Sequence, residues 1–573
     1  MKSFYLGWAT LLLAGPALAQ SAGPPKPAQS ITLDDHATVG GVVTLPNQNT
    51  VLLLTNSAKT DVVAQCLAPD GHTVWKTPLT RYQYSLFNSG HLLDNRQIAL
   101  GQPARDRKQL AKEMTAASLW PVNVFTDGNE LVLAEVLGAD AAKESVKSGS
   151  TKLATDQVFV QRLDAQGHLT QHLFEPPAAP ESRKVEVRTL GRYADAAGYV
   201  EVVRELNTRE ETTTFYLQHY DLATRALRRE PVVLPPTPKQ PNNMFLRHWY
   251  QDWAFLGHRP GQTYFSRRTL EGGPKAKPGD LPTNFQVFVV DDHGAAAASG
   301  FHTTLELTTG THPAYSGRVP GLGGANHIPY YFNMSQGKNY IRMDEYEVSS
   351  GGVGGLYLDH ATGDVLVYGE YALGEVLMDG SSTKLDGVFM RRYAADGRVL
   401  ASAQLPYTPE MRNYGSSSIF RGGLYRYVRF HADPLTGQYQ FVITNVPPRH
   451  TDDGYIPHYG QQQTYTFYFD QALKLQRYDH PDSKRKDEPV YTSIHFAHPT
   501  YVTSNFSAAH NVRTYERAGP ADLPVYVALE KLLQAAPGDA EQHYFYLSPT
   551  GLGKALVVER PLGIGGKLNV YTF

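Results

Sequence analysis

The sequence predicts an all-β protein, and three observations carry that prediction. Strong β-formers are plentiful, while long Ala/Glu/Lys/Leu-rich stretches are few. The chain holds 50 Gly and 38 Pro, enough to serve many tight turns. One hairpin pattern, an apolar-rich strand followed by a four-residue turn and a second strand, recurs along the whole length.

The copies follow in order. Val62-Val-Ala-Gln-Cys-Leu67 precedes Ala68-Pro-Asp-Gly71, and Val158 to Leu163 precedes Asp164-Ala-Gln-Gly167. Phe215 to Tyr220 precedes Asp221-Leu-Ala-Thr224, and Phe285 to Val290 precedes Asp291-Asp-His-Gly294. Val388 to Tyr393 precedes Ala394-Ala-Asp-Gly397. Thr464 to Phe469 and Gln542 to Leu547 are weaker copies, the last followed by Ser548-Pro-Thr-Gly551. Glycine fills the fourth turn position in five of the seven copies; Thr224 and Leu473 are the exceptions. A left-handed backbone at that position explains the preference. Cys66, the single cysteine, sits in the first copy and reads as a small apolar strand residue rather than a reactive thiol.

Most copies follow another strand pair. Examples are His36 to Leu45 with Val51 to Thr55, and Val122 to Phe125 with Glu130 to Leu137. Gly352 to Leu358 with Asp364 to Glu370, and Leu424 to His431 with Gln438 to Asn445, continue the series. Four antiparallel strands per unit, repeated about seven times, resembles a β-propeller. The resemblance implies a single domain over residues 31–573 with about seven four-stranded antiparallel blades; the wider copy spacings leave room for an eighth. It is a likeness of architecture alone, since no Trp-Asp repeat ending and no kelch double-glycine series is present. In such a ring the last strand, Lys567 to Phe573, is expected to pair with N-terminal residues and so remove an open edge.

In a four-stranded meander the connections alternate between two edges. The turns between strands one and two and between three and four are short here. The long segments are 83–119, 303–350 and 406–423 between blades, and 138–155, 267–284, 371–385, 446–463 and 518–541 between strands two and three. All long insertions therefore belong to one face, where ordered loops on a rigid scaffold carry binding and catalysis. Residues 105–118 and 524–535 have partial helical periodicity and are expected as short helices on that face.

The loop 303–350 is the richest, with His312, Arg318, His327, Tyr330, Tyr331, Arg342 and Asp344. His, Arg and acidic groups together grip anionic sugars or move protons, and tyrosines offer flat surfaces to sugar rings. The run His248-Trp-Tyr-Gln-Asp252-Trp253 is expected on the first strand of the fourth blade, its tryptophans packed and His248 and Asp252 facing a ligand. A third group, His450, Tyr455 and His458, lies in the strand two–three loop of the sixth blade and reads as a solvated turn or a glycan grip. His495 and His498 would face opposite sides of a strand, which opposes a metal pair. The chain has no HExxH, calcium-loop, Gly-x-Ser-x-Gly or phosphate-loop motif, so no cofactor or metal is expected.

Residues 1–19 have a Lys2 start, an apolar run and an Ala17-Leu-Ala19 ending, the pattern of a cleavable secretory signal. Residues 20–30 form a Pro-rich polar stretch expected as a disordered linker. The product is expected in a periplasm or outside the cell, as a monomer with no transmembrane segment. A net charge of −2 opposes nucleic-acid binding. Three function classes follow: a non-catalytic protein binding a glycan, peptide or envelope partner, a polysaccharide hydrolase or lyase on the same scaffold, and a structural surface protein. The first fits the lopsided loops and the missing catalytic signatures; whether the chain is an enzyme is left open.

Overall fold

The structure is a computed structural model. It describes residues 25–33, 37–56, 62–79, 122–137, 157–175, 185–207, 210, 212–235, 253–269, 284–304, 311–313, 355–359, 362–373, 387–408, 425–432, 438–446, 448–451, 454–457, 463–479, 493–496, 543–551, 554–561 and 566–573. The elements among them are all strands. No helix of these residues is long and apolar enough to cross a membrane. The expected helices at 105–118 and 524–535 and the segment 1–19 lie outside the described residues.

The first strand, β1 (Gln29–Leu33), stands apart from the sheet that follows it. Sheet one is β2 (Ala37–Thr44), β3 (Thr50–Asn56), β4 (Val62–Leu67) and β5 (Thr73–Leu79). Sheet two is β6 (Val122–Asp127), β7 (Glu130–Leu137), β8 (Gln157–Leu163) and β9 (Leu169–Phe174). Sheet three is β10 (Val185–Ala194), β11 (Gly198–Asn207), β12 (Thr212–Asp221) and β13 (Ala226–Val232). Sheet four is β14 (Ala254–Arg259), β15 (Gln262–Thr269), β16 (Asn284–Val290) and β17 (Ala296–Thr304). Sheet five holds β18 (Thr311–Pro313), β19 (Gly355–Leu358), β20 (Val365–Leu373), β21 (Gly387–Tyr393) and β22 (Val399–Pro406). Sheet six is β23 (Tyr425–Ala432), β24 (Tyr439–Val446), β27 (Gln463–Phe469) and β28 (Leu475–Asp479), with a separate hairpin, β25 (Pro448–Thr451) and β26 (Gly454–Pro457), between its middle strands. Sheet seven contains β29 (Ser493–Phe496), β30 (His543–Gly551), β31 (Lys554–Pro561) and β32 (Gly566–Thr572), and β1 completes its outer edge. Strands pair antiparallel with their chain neighbours, except that β18 pairs with β20, β24 with β27 and β1 with β32, and that β29 runs parallel to β30.

The β1–β32 pairing, Ile31 opposite Leu568, joins the two ends of the chain as the sequence predicts. The strand starts at Gln29, inside the stretch read as linker. The seventh hairpin copy is displaced from its expected place. Residues 543–551 form β30, the first strand of the antiparallel part of sheet seven, flanked by the parallel β29; its third antiparallel strand is β32 and its fourth comes from the N-terminus. The segment 518–541 therefore precedes a first strand instead of joining strands two and three. The reason is local: a first-to-second hairpin and a third-to-fourth hairpin use the same turn chemistry.

Those turns have the expected backbone. Gly71, Gly167, Gly294 and Gly397 take φ of 76 to 87°. Leu473 adopts φ 58° at the same position without being glycine, and its side chain is enclosed between sheets five and six. In the Thr224 copy the left-handed residue is Arg225, one position later, at φ 55°. A turn aspartate holds the loop in each case. Asp164 Oδ1 accepts from the His168 N–H at 2.8 Å, Asp291 Oδ1 from Ala295 at 2.9 Å and Asp470 Oδ1 from Lys474 at 2.8 Å. Where alanine opens the turn, Asp70 and Asp396 reach the equivalent N–H groups of His72 and Arg398 from the third position.

Neighbouring sheets bury apolar faces against each other in chain order. Leu52 and Val42 meet Leu556 and Val570 between sheets one and seven. Val51, Cys66 and Leu133 join sheets one and two; burial pushes the Cys66 thiol up to about 12, as befits an inert core residue. Val160 with Tyr199, Val202 with Phe265, Val287 with Val367, and Tyr368 with Phe441 continue through sheets two to six.

The short-turn ends of consecutive sheets also touch. Trp75 Nε1 and Thr77 Oγ1 donate to Ala165 O at 3.2 Å and Gly167 O at 2.7 Å. Arg162 Nη1 donates to Asp195 O at 2.8 Å and Arg392 Nη1 to Gln471 O at 3.0 Å, and the His258 ring, beside the first turn of sheet four, stacks on Tyr193, beside that of sheet three. Gly363 lies beside Arg259, and Gly71 beside Val570 and Thr572. The short turns of sheets one to seven thus share one face, so the long connections 80–121, 138–156, 270–283, 374–386 and 447–462 leave from the opposite ends of their strands.

Leu568 is fully buried where β32 meets β1 and sheet one. Leu568→Ala is expected to lower the unfolding free energy by about 2–5 kcal/mol, read from urea denaturation followed by intrinsic fluorescence.

Candidate functional site

Three of the sequence-derived candidates fall on described strands. His312 lies on β18, opposite Ala372. Because β18 and β19 both pair with β20, the first strand of sheet five is interrupted, and 314–354 is an excursion from its middle. His450 and Tyr455 are cross-strand partners in the β25–β26 hairpin, so the expected turn is a two-stranded arm at the long-connection end of sheet six. His248, Asp252, Arg318, His327, Tyr330, Tyr331, Arg342, Asp344 and His458 lie outside the described residues.

The first strand of sheet four begins at Ala254, after the 248–253 run rather than within it. Trp253 is packed as expected. Its Nε1 donates to Pro235 O at 2.8 Å, and the Arg267 guanidinium lies 4.4 Å from its ring centroid.

A second polar cluster, which the sequence did not disclose, occupies sheet three. Three first strands carry a β-bulge at one place: Val39/Gly41 in β2, Thr189/Gly191 in β10 and Phe255/Gly257 in β14. Each bulge is followed by a residue turned toward the preceding sheet, and those residues are Val42, Arg192 and His258. Gly191 is required by its neighbour, since a Cβ there would stand 2.0 Å from Phe255 Cδ1.

Arg192 Nε donates to Glu201 Oε1 at 3.0 Å, beside the Tyr199 hydroxyl, which donates to the same oxygen at 3.0 Å. The Tyr220 hydroxyl donates to Glu201 Oε2 at 3.1 Å and accepts from Gln218 Nε2. Burial and the Glu201 carboxylate hold both phenols well above their ordinary pKa, so they stay donors. Enclosure opposes the charge on Arg192, but Tyr199 and Glu201 outweigh it and its pKa is raised. Although protein surrounds the guanidinium, the Arg192 side chain is 36% exposed, against 10% for Glu201.

His258 faces sheet three, its ring stacked on Tyr193 at 3.8 Å between centroids. Tyr193 hydrogen-bonds Thr263 at 2.9 Å. Nearby, His219 is buried with Nδ1 3.5 Å from Asp195 Oδ2. His219 holds the strand position that Arg162 and Arg392 hold in sheets two and five. Both arginines likewise grip acids of their own first turn, Asp127 and Glu130, and Asp359 and Asp364. Burial raises the Asp195 carboxyl, but the His219 ring and the Gly198 and Ala197 N–H groups outweigh it and its pKa is lowered. No group of three or more His, Cys, Asp or Glu among the described residues is arranged to hold a metal ion.

No protein-family model and no curated protein matches the chain. Among solved structures it is similar to a tryptophan-to-alanine variant of Synechocystis apocarotenoid oxygenase, at 10% identity and TM-score 0.26 over 76% of this chain and 70% of that one. It is also similar to prolyl oligopeptidase B from Galerina marginata, at 8% identity and TM-score 0.23 over 81% of this chain and 58% of that one. A protein solved as an RGII complex matches at 8% identity and TM-score 0.21, over 69% of this sequence and 89% of its own. At such TM-scores the similarities assign no activity to this protein.

Gly191→Ala is expected to destabilise the protein by about 1–3 kcal/mol through the clash with Phe255, measured by urea denaturation. Because the Asp195 pKa is lowered on folding, its contribution is present above the unfolded carboxylate pKa of about 3.9 and is lost as pH falls through the folded value. Asp195→Asn should therefore reduce stability at pH 7, with the gap to wild type closing in strong acid in paired denaturation curves.

Proposed function

We propose that the seven sheets close into one seven-bladed propeller over residues 29–573, and that the protein, exported after cleavage near Ala19, binds an extracellular or envelope ligand through its long-connection face. Six consecutive sheet-to-sheet contacts and the β1–β32 pairing support the ring, which a contact between sheets six and seven would complete. The observation that carries the binding face is the division of the connections. One face is made of short turns bonded to one another across sheets. The other carries the His450–Tyr455 arm and the strand ends from which the long connections leave; the 314–354 segment, which departs from the middle of the first strand of sheet five, is assigned to it as well.

A glycan is the favoured ligand class, with a peptide or envelope protein as the other partners of the same face. Tyr330, Tyr331 and Tyr455 supply flat apolar surfaces with polar edges, and His312, Arg318, His327, Arg342, Asp344, His450 and His458 supply the hydrogen-bonding groups that orient sugar hydroxyls. His248 and Asp252, in the connection leading to sheet four, belong to the same face.

The mature protein should bind at least one polysaccharide on a glycan array. A His450→Ala/Tyr455→Ala variant should bind about tenfold more weakly, a loss of about 1.4 kcal/mol. Lys76→Ala on an outer strand should leave binding unchanged. Silence on the array, or undiminished binding by the double variant, would count against the glycan reading.

A further inference from the structure

We propose that Arg192 is the anchor of a carboxylate-binding site at the inner edge of sheet three. The inference rests on the proposed ring, whose central opening gives a ligand access to the first strands.

Four observations point there. The position after the first-strand bulge is Val42 in sheet one, packed in the apolar interface with sheet seven, so the fold accepts an apolar residue at this place. In sheet three the same place holds an arginine set among buried tyrosines, a charge the fold tolerates because Glu201 pairs with it. The guanidinium is also fixed in advance. Glu201 takes the Arg192 Nε, and Glu201 is itself locked by the Tyr199 and Tyr220 hydroxyls. Finally, the Arg192 side chain is 36% exposed, and among the described residues no second carboxylate and no carbonyl accepts from it. The Tyr199 hydroxyl also lies beside the guanidinium, as a second group that a bound carboxylate would meet.

The chemistry selects the ligand. A guanidinium oriented through Nε presents its outer nitrogens in the planar fork that matches a carboxylate. Glu201 cancels the formal charge of Arg192, so a phosphate dianion gains little net attraction and meets repulsion from the carboxylate beside it. A planar monoanion gains the directed hydrogen bonds and meets less repulsion. Glu201, Tyr199 and Tyr220 act as positioning residues that set the fork. The carboxylate belongs to a sugar acid or to a peptide C-terminus, two sources of one chemistry.

The test is isothermal titration of the mature full-length protein with glucuronate, with N-acetylalanine, and with the corresponding amides. Saturable binding of either carboxylate, at least tenfold tighter than its amide, is the expected result, and the stronger arm names the source. Arg192→Lys, which keeps the charge and loses the fork, should weaken that binding about tenfold. Arg192→Met paired with Glu201→Gln should abolish it while leaving no unpaired buried charge, with folding checked by thermal melting. Absence of saturable binding in both arms, or binding that survives both variants, would overturn the site. Small-angle scattering separates the two proposals. A ring-like envelope without carboxylate binding removes the site alone, whereas binding without a ring removes the propeller and the central access route.

Discussion

The antiparallel pairing of Gln29–Leu33 with Gly566–Thr572 is the contact on which the rest of the structure depends. Sheet seven has only β29 to β32 from its own stretch of chain, and without β1 its outer edge stands open. The pairing lays Ile31 on Leu568 and holds sheet seven against sheet one. A buried hydroxyl cluster reinforces the junction: Ser548 Oγ lies 2.6 Å from both Thr44 Oγ1 and Thr50 Oγ1. These partners stand about five hundred residues apart in sequence, so closing the junction carries a large loop-closure entropy that its buried contacts must offset.

Given joined ends, the remaining order is local. Sheets one to four are meanders of consecutive strands, sheets five to seven are variations on that order, and each sheet buries one face against a neighbour. The short-turn face is tied by three kinds of bond. Turn aspartates hold the hairpins, arginines such as Arg162 and Arg392 tie first-turn acids to a neighbouring sheet's carbonyl, and Trp75 spans from sheet one to sheet two. Such a face has little freedom to vary. Rigidity there lets the opposite face carry long connections without cost to the scaffold, which is the general arrangement of loops placed for binding.

Much of this was legible in the sequence because turn chemistry is local. The Asp-rich, Gly-ended turns marked the hairpins, and the structure places a left-handed residue in six of the seven copies. The rule failed informatively at Leu473, where burial of a large side chain compensates for a backbone that glycine would adopt more easily. It also failed at 543–551, because identical turn chemistry serves two positions in a sheet. The first-strand bulges escaped notice altogether. Gly41, Gly191 and Gly257 have no turn neighbours to flag them, and a bulge is defined by its partner strand. Arg192 was missed for the same reason: nothing near it in sequence announces Glu201 across the sheet.

The sequence by itself determined the class of element, the hairpin positions and the sorting of connections into short and long. These follow from alternation and from the backbone demands of individual turns, which act over a few residues. Tertiary structure alone decided that the closing strand starts at Gln29, that the short turns interlock on one face, and that a bulge turns Arg192 onto a buried carboxylate. Each of those outcomes depends on which surfaces meet across distant strands, and pairwise burial between segments far apart in the chain leaves no mark in the local order of residues.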